Sequence, residues 1–200
     1  MRNLFLCLTI LLATTACTTT LPLVDGTNVT WPEHQQQIAR LHYWTINGRL
    51  AVSDGTESWY LDLSWQQQGD AYVIKLVGPL GAGQIQLHGD QSGVVLDDGK
   101  HRPQYADDAE SLLYEHTGLK IPVAGMFFWV RGIPDPQMSS GSLDLLAGKL
   151  KQLQQGGWQL QFRHYQQVND TVLPQKLFMQ RDDLEVRLVI DQWQLGLPNS

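Results

Sequence analysis

Residues 44–65, WTINGRLAVSDGTESWYLDLSW, decide the fold of this chain. Large apolar residues occupy every second position in each half of the segment, except that Gly48 takes one of these positions in the first half. They are Trp44, Ile46, Leu50 and Val52 in the first half and Trp59, Leu61, Leu63 and Trp65 in the second. A period of two places these side chains on one face of an extended strand. The segment therefore predicts two strands, each half-buried, separated by an Asp-Gly turn.

The same alternation continues along the chain in short segments that are broken by glycine and aspartate. We predict further strands in AYVIKLV (71–77), GQIQLHG (83–89), GVVLDDG (93–99), WQLQFRHY (158–165), VLPQKLFMQ (172–180) and LEVRLVI (184–190). Pro174 should lie near the start of its strand or on a sheet edge, because proline cannot donate to a central ladder. These patterns predict a mainly β (α+β) fold, with an antiparallel sheet curled around one large apolar face.

Three segments predict helices. TWPEHQQQIARL (30–41) begins with Thr30 as N-cap and has Glu33 three residues later. DDAESLLYEHTG (107–118) has an acidic first turn and ends at a glycine, and PVAGMFFWVRG (122–132) is apolar and also ends at a glycine. SLDLLAGKLKQLQQ (142–155) has leucines at helical spacing, yet the Gly156-Gly157 pair and the strand after it favour a hairpin from about Lys149 onward.

The first 17 residues have the layout of a secretory signal: one basic residue, an apolar run, and small residues before Cys17. The run is shorter than the roughly 20 residues that span a bilayer. The segment resembles a bacterial lipoprotein signal, in which the cysteine is lipidated and the chain is cleaved before it. An ordinary signal with an incidental cysteine is the alternative. Thr18 after the cysteine implies sorting to the outer membrane.

We therefore expect a signal peptide at 1–16, a lipidated Cys17 with a Thr-rich tether to residue 30, and a single domain at 31–200. Cys7 lies inside the signal, so a mature chain has no partner for an internal disulfide. The formal net charge of −6 argues against binding nucleic acid, which requires clustered Lys and Arg.

Sequence motifs for catalysis or cofactors are not recognisable in the chain. Gly78, Gly81 and Gly83 have the wrong spacing for a dinucleotide loop, and the six histidines lack metal-ligand spacing. We expect no catalytic residue, metal or cofactor. An apolar face on a curved sheet can form a packed core or enclose an apolar ligand.

From about Trp31 to Trp193 the sequence resembles the LolB family of outer-membrane lipoprotein receptors. The similarity is carried by WTINGRLAV, LSWQQQGDAYVIKLVGPLGAG, YADDAESLLYEHTGLKIPVAGMFFWVRGIP and the late IDQW. The resemblance implies an incomplete antiparallel β-barrel around a hydrophobic cavity, lidded by a few helices. It also implies a factor, not an enzyme, that accepts lipoproteins from the periplasmic carrier LolA.

In this family the cavity holds the acyl chains, which are then released into the inner leaflet of the outer membrane without nucleotide hydrolysis. The expected location is therefore the outer membrane, lipid-anchored and facing the periplasm, and we expect a monomer. Two alternatives remain. One is a lipoprotein that carries free lipid or scaffolds an assembly, and the other is a lipid-cleaving hydrolase.

The candidate cavity residues are apolar side chains of the early strands, the late strands and the proposed lid. They are Trp44, Ile46, Leu50, Trp59, Leu61, Leu63, Trp65, Leu160, Phe162, Val186 and Leu188, with Phe127, Phe128 and Trp129 from the lid. Alternation does not say which of them line a void. A packed interior without any void would argue against acyl-chain binding.

The loop VGPLGAGQ (77–84) places Leu80 between Pro79 and Gly81, in a segment with the composition of a surface turn. The resemblance implies that this leucine contacts the membrane during delivery of lipoproteins. The alternative is that Leu80 folds back onto the sheet edge.

Overall fold

The computed structural model describes residues 30–81 and 83–196. They form one 11-stranded antiparallel sheet and three α-helices. The helices are α1 (Trp31–Ala39), α2 (Ala109–Thr117) and α3 (Val123–Trp129). The strands are β1 (Tyr43–Ser53), β2 (Ser58–Gln68), β3 (Ala71–Val77), β4 (Gln84–Asp90), β5 (Gly93–Asp97), β6 (Gln104–Ala106), β7 (Ser140–Leu146), β8 (Lys149–Gln155), β9 (Trp158–Val168), β10 (Thr171–Arg181) and β11 (Leu184–Leu195).

Two meanders make up the sheet. Its order is β6-β5-β4-β3-β2-β1-β11-β10-β9-β8-β7, so the first and last strands of the chain pair in the middle. Within the described residues, the edge strands β6 and β7 do not pair with each other. The sheet is therefore an open, incomplete barrel, as the resemblance implied. Helices α2 and α3 connect the two edge strands.

β1 is the central strand, and its curvature depends on Gly48. The register of β1 against β11 shifts between Asn47 and Gly48, which marks a β-bulge. A Cβ atom added at Gly48 would lie 2.1 Å from the carbonyl oxygen of Val189. Only glycine fits this close approach of two backbones, and a bulge at this point increases the local twist of the strand.

The hairpin expected from about Lys149 onward is confirmed, since β8 and β9 pair across Gly156 and Gly157, and β7 adds a further hairpin before it. β7 and β8 pair around Ala147 and Gly148, whose φ angles of 49° and 70° suit a two-residue primed turn. Helical leucine spacing was therefore misleading here: Leu143 and Leu146 are exposed on an edge strand, whereas Leu150 and Leu153 are buried. Strand β9 follows the glycine pair, as predicted.

Pro174 lies near the start of β10, which confirms the first of the two predicted positions. The edge alternative is wrong, because β10 lies between β9 and β11. Pairing with β11 begins only at Lys176, so the missing N–H of proline interrupts no bond of that ladder.

α1 and α2 begin with the expected N-cap signals and α2 ends at the expected glycine, whereas α3 ends at Trp129, three residues before Gly132. The Thr30 N–H donates to the Glu33 carboxylate at 2.9 Å at the start of α1. The Asp108 carboxylate accepts from the Ser111 N–H at 2.8 Å at the start of α2. Gly118, with φ of 75°, ends that helix in the left-handed region.

Candidate functional site

The strand register brings the predicted cavity residues together on the concave face of the sheet. Ile46 pairs with Trp65, and Leu50 pairs with Leu61 on one side and with Leu188 on the other. The remaining pairs on this face are Gly48 with Leu63, Val52 with Trp59 and with Val186, Leu177 with Phe162 and Met179 with Leu160. Because the apolar residues of neighbouring strands lie opposite one another, they form one continuous apolar surface.

Most of the predicted cavity residues are packed against one another. The fully buried ones are Trp44, Ile46, Leu50, Leu63, Trp65, Trp129, Leu160, Phe162, Val186 and Leu188. The partly buried ones, which pack against this core, are Trp59, Leu61, Phe127 and Phe128. Side chains therefore fill much of the concave face in this conformation, and a ligand there has to displace some of them.

An aromatic cluster occupies the middle of this face, with Trp44 at its centre. The Trp44 ring lies 5.3 Å from Trp65, 5.6 Å from Trp193 and 6.2 Å from Phe127, measured between ring centroids. The ring of Phe127 makes an interplanar angle of 29° with that of Trp44 and an edge contact with Phe128 at 4.9 Å. Helix α3 is thus held onto the sheet through its aromatic side chains.

Arg131, just after α3, fixes this helix on its other side. Its side chain is 2% exposed, and burial lowers its pKa to about 10. The guanidinium donates to the carbonyl oxygens of Phe127, Ile38 and Leu41 at 2.9, 3.4 and 3.2 Å. It also lies 4.1 Å from the centre of the Phe127 ring. The sequence interpretation did not single out Arg131, because a lone arginine after a helix has no distinguishing pattern.

A groove of about 580 Å³ opens where the end of the sheet meets α2 and α3. Tyr72, Val94, Val123 and Phe127 form its apolar part. Of the predicted cavity residues, Phe127 alone belongs to this groove. Two of the other three follow from extending the alternation of β2 into β3 and β5, because Tyr72 and Val94 share the concave face with Trp65. Val123 belongs to α3.

Carboxylates surround the mouth of the groove. They belong to Asp70, Asp90, Asp107, Asp108 and Glu110. Hydrogen bonds from Ser111 lower the pKa of Asp108, whereas burial and the neighbouring Asp108 raise that of Glu110. Burial, with a contribution from Asp108, raises the pKa of Tyr72 to about 12. The mouth is therefore acidic at neutral pH.

The loop between β3 and β4 carries Leu80 at its tip. The side chain is fully exposed, at 108% of its reference area. Its φ of 55° and ψ of 24° lie in the left-handed region, which costs a bulky residue conformational energy. Leu80 is therefore exposed, as its place in a surface turn predicted, and the alternative that it folds back onto the sheet edge is wrong. Asp70 in the groove and this loop lie at opposite ends of β3, whose seven residues span about 20 Å.

Cys17 and the whole predicted signal lie outside the described residues. None of the helices in residues 30–81 and 83–196 is long and apolar enough to cross a membrane.

Comparison with known proteins places these features in one family. The family model described as "Outer membrane lipoprotein LolB" matches residues 42–193. The outer-membrane lipoprotein LolB of Nitrosococcus oceani is 39% identical over 169 residues, which are 84% of each chain. The outer-membrane lipoprotein LolB of Ectopseudomonas mendocina is 36% identical over 170 residues, or 85% of this chain and 83% of that one.

Solved structures share the fold at low identity. A DUF1329 family protein from Desulfovibrio piger has a TM-score of 0.55 and 6% identity, covering 85% of this chain and 92% of its own. A putative outer membrane lipoprotein-sorting protein domain from Vibrio parahaemolyticus has a TM-score of 0.50 and 8% identity, with the same coverage. These similarities concern the fold alone.

Proposed function

The chain belongs to the LolB family of outer-membrane lipoproteins, and we propose that it is a receptor that inserts lipoproteins into the outer membrane. It accepts them from the periplasmic carrier LolA, shelters their acyl chains on the concave face, and releases them into the inner leaflet without nucleotide hydrolysis. The observation that carries this proposal is the apolar concave face of an unclosed sheet, which α3 covers and beside which a groove opens.

The groove gives the acyl chains a way in. Phe127 lies in the groove wall and in the aromatic cluster at once, so moving its side chain would join the groove to the concave face. Each methylene that leaves water contributes about 0.8 kcal/mol. Displacing side chains that already pack well offsets part of this gain. Such a site holds acyl chains less favourably than a bilayer does, as release requires.

Leu80 is the proposed membrane contact. Its side chain is already in solvent, so it gains apolar burial when it enters a bilayer and loses no contact within the protein. Pro79 and Gly81 set the turn that presents it. The acyl anchor at Cys17 would keep this loop near the membrane, facing the periplasm. Because the loop is remote from the groove, substitutions at Leu80 should separate delivery from acyl-chain binding.

The test is a reconstituted transfer. LolA loaded with a labelled lipoprotein is mixed with outer-membrane vesicles in the absence of nucleotide, with and without this protein in the vesicles. The proposal predicts that the label moves from the soluble to the membrane fraction only when this protein is present. Leu80→Glu should allow the label to leave LolA but prevent its incorporation into the membrane.

The alternatives give different results in the same assay. A free-lipid carrier or an assembly scaffold would leave the lipoprotein on LolA. A lipid-cleaving hydrolase would release free fatty acid from the labelled lipoprotein. Either result would refute the receptor proposal.

A further inference from the structure

One buried indole N–H in the aromatic cluster has no hydrogen-bond acceptor. Trp44 is 0% exposed, and its Nε1 has no partner in the part of the chain that the structure describes. Neighbouring tryptophans do have acceptors: Trp65 Nε1 donates to the Gln67 Oε1 at 3.0 Å, and Trp193 Nε1 donates to the Pro174 carbonyl at 3.0 Å. A buried donor without an acceptor is costly, so its persistence calls for an explanation.

Trp44 lies directly behind the wall of the groove. Its cross-strand partner Gln67 and its stacking partner Phe127 both belong to the groove wall. The Arg131 guanidinium lies 4.1 Å from the centre of the Phe127 ring, and its Nε and Nη1 donate to three carbonyl oxygens. A chain that replaces the Phe127 side chain would therefore contact Trp44, whose buried indole N–H has no acceptor among the described residues.

The acyl chains of a lipoprotein reach its N-terminal cysteine through ester and amide groups, whose carbonyl oxygens accept hydrogen bonds. We propose that Trp44 Nε1 donates to such a carbonyl when an acyl chain occupies the space of Phe127. This inference rests on the proposed function. It identifies the Trp44 indole as the polar group that recognises the carbonyl of the acyl linkage. It makes Trp44 a residue that distinguishes acylated lipid from plain hydrocarbon.

The negative charge at the groove mouth favours neutral acyl compounds over free fatty acids. Asp70, Asp90 and Asp108 face the mouth, and a free fatty acid would bring another carboxylate close to them. Like charges at short distance oppose binding. An ester or amide is neutral and keeps the carbonyl acceptor. The site should therefore prefer esterified or amide-linked acyl chains to free fatty acids.

The experiment compares three probes of equal chain length bound to the full protein. They are a synthetic peptide with an N-terminal diacylglyceryl cysteine, a free fatty acid, and an analogue of the lipopeptide in which ether links replace the ester carbonyls. Because one neutral hydrogen bond contributes modestly in water, the ester lipopeptide should bind about 2- to 10-fold more tightly than the ether analogue. Trp44→Phe should abolish that preference.

Trp158→Phe is the matched control. Trp158 is also buried with an unpartnered Nε1, but it lies beside Trp129 at the β8–β9 turn, away from Phe127. This variant should keep the preference for the ester. A second measurement avoids mutation: in the NMR spectrum of the unaltered protein, the Trp44 indole N–H signal should shift more with the ester than with the ether lipopeptide.

The outcomes separate this inference from the proposed function. If the protein binds both lipopeptides equally, or if Trp44→Phe keeps the preference, the assignment of Trp44 is wrong while the receptor proposal stands. An equal shift of the indole signal with both lipopeptides overturns the assignment in the same way. If the protein binds none of the probes, both fall.

Discussion

The left-handed conformation of Leu80 leads to a prediction in which stability and function change in opposite directions. Leu80→Asn keeps a side chain of similar size, and asparagine adopts left-handed backbone angles more readily than leucine. The native φ of 55° should therefore become less strained. The side chain contacts solvent alone, so no packing is lost. We expect the free energy of unfolding to rise by about 1 kcal/mol, or the melting temperature by about 2–4 °C.

Membrane contact should weaken in the same variant. Burying a leucine side chain is worth about 1.5–3 kcal/mol, so its loss should lower partition onto lipid vesicles by about 10- to 150-fold. The measurement is co-sedimentation with vesicles of residues 30–200, which contain every described element and lack the proposed anchor. Thermal unfolding of the same sample gives the change in stability.

Leu146→Asn is the control for Leu80→Asn. Leu146 is also an exposed leucine, at 66%, but it lies on edge strand β7, seven strands from β3 in the order of the sheet. Its replacement should leave vesicle partition nearly unchanged. Equal losses at both positions would mean that the chain binds vesicles through general apolar exposure. A clear fall in stability with Leu80→Asn would refute the strain argument.

Three further predictions concern the framework of the site. Arg131→Lys should lower the free energy of unfolding by about 1–3 kcal/mol in denaturant titrations, because one ammonium cannot match the geometry with which the guanidinium reaches three carbonyls. Gly48→Ala should cost about 3 kcal/mol in the same assay, since its Cβ would clash with Val189. Glu110→Gln should stabilise the protein at pH 7 but not at pH 3. The pKa of Glu110 is raised in the folded state, so the free energy of unfolding is highest while this carboxyl is protonated, below its unfolded pKa, and falls as pH rises through the folded pKa. Glutamine stays neutral and avoids that loss. Thermal melts of Glu110→Gln and the unaltered protein across this range measure the difference, and a constant gap between them would contradict the assignment.

The sheet was predictable because period-two alternation is a local property. The strand β2 is recognisable from its own alternating residues, Trp59, Leu61, Leu63 and Trp65. Pairing with β1 then places these side chains beside those of the neighbouring strand. The hairpin at 140–155 was harder, since Leu143 and Leu146 fit helical spacing but belong to an exposed edge. The turn at Ala147 and Gly148, with its positive φ angles, makes this segment a hairpin. In the sequence, an Ala-Gly pair indicates such a turn less clearly than the leucine spacing indicates a helix.

The groove was less predictable than the sheet. It depends on where α3 lies across the concave face, and that position is set by contacts between residues far apart in sequence. Arg131 bonds the carbonyls of Ile38 and Leu41, about 90 positions earlier. Phe127 stacks on Trp44 across a similar separation. Alternation can list the apolar side chains of each strand, but it cannot say which of them a helix will cover.

The interior is largely packed but includes the groove beside α3, and this arrangement is compatible with the proposed transport role because a receptor needs graded affinity. A preformed empty cavity would bind acyl chains with the full gain of about 0.8 kcal/mol per methylene and would compete with the bilayer. Here an entering chain must first separate Phe127 from Trp44 and Arg131, and the lost contacts subtract from that gain. The same contacts re-form when the chain leaves, so they favour release. Under the proposed function, the aromatic cluster would both shelter the acyl chain and limit how tightly it is held, and Leu80, beyond the far end of β3, would contact the membrane to which the chain is released.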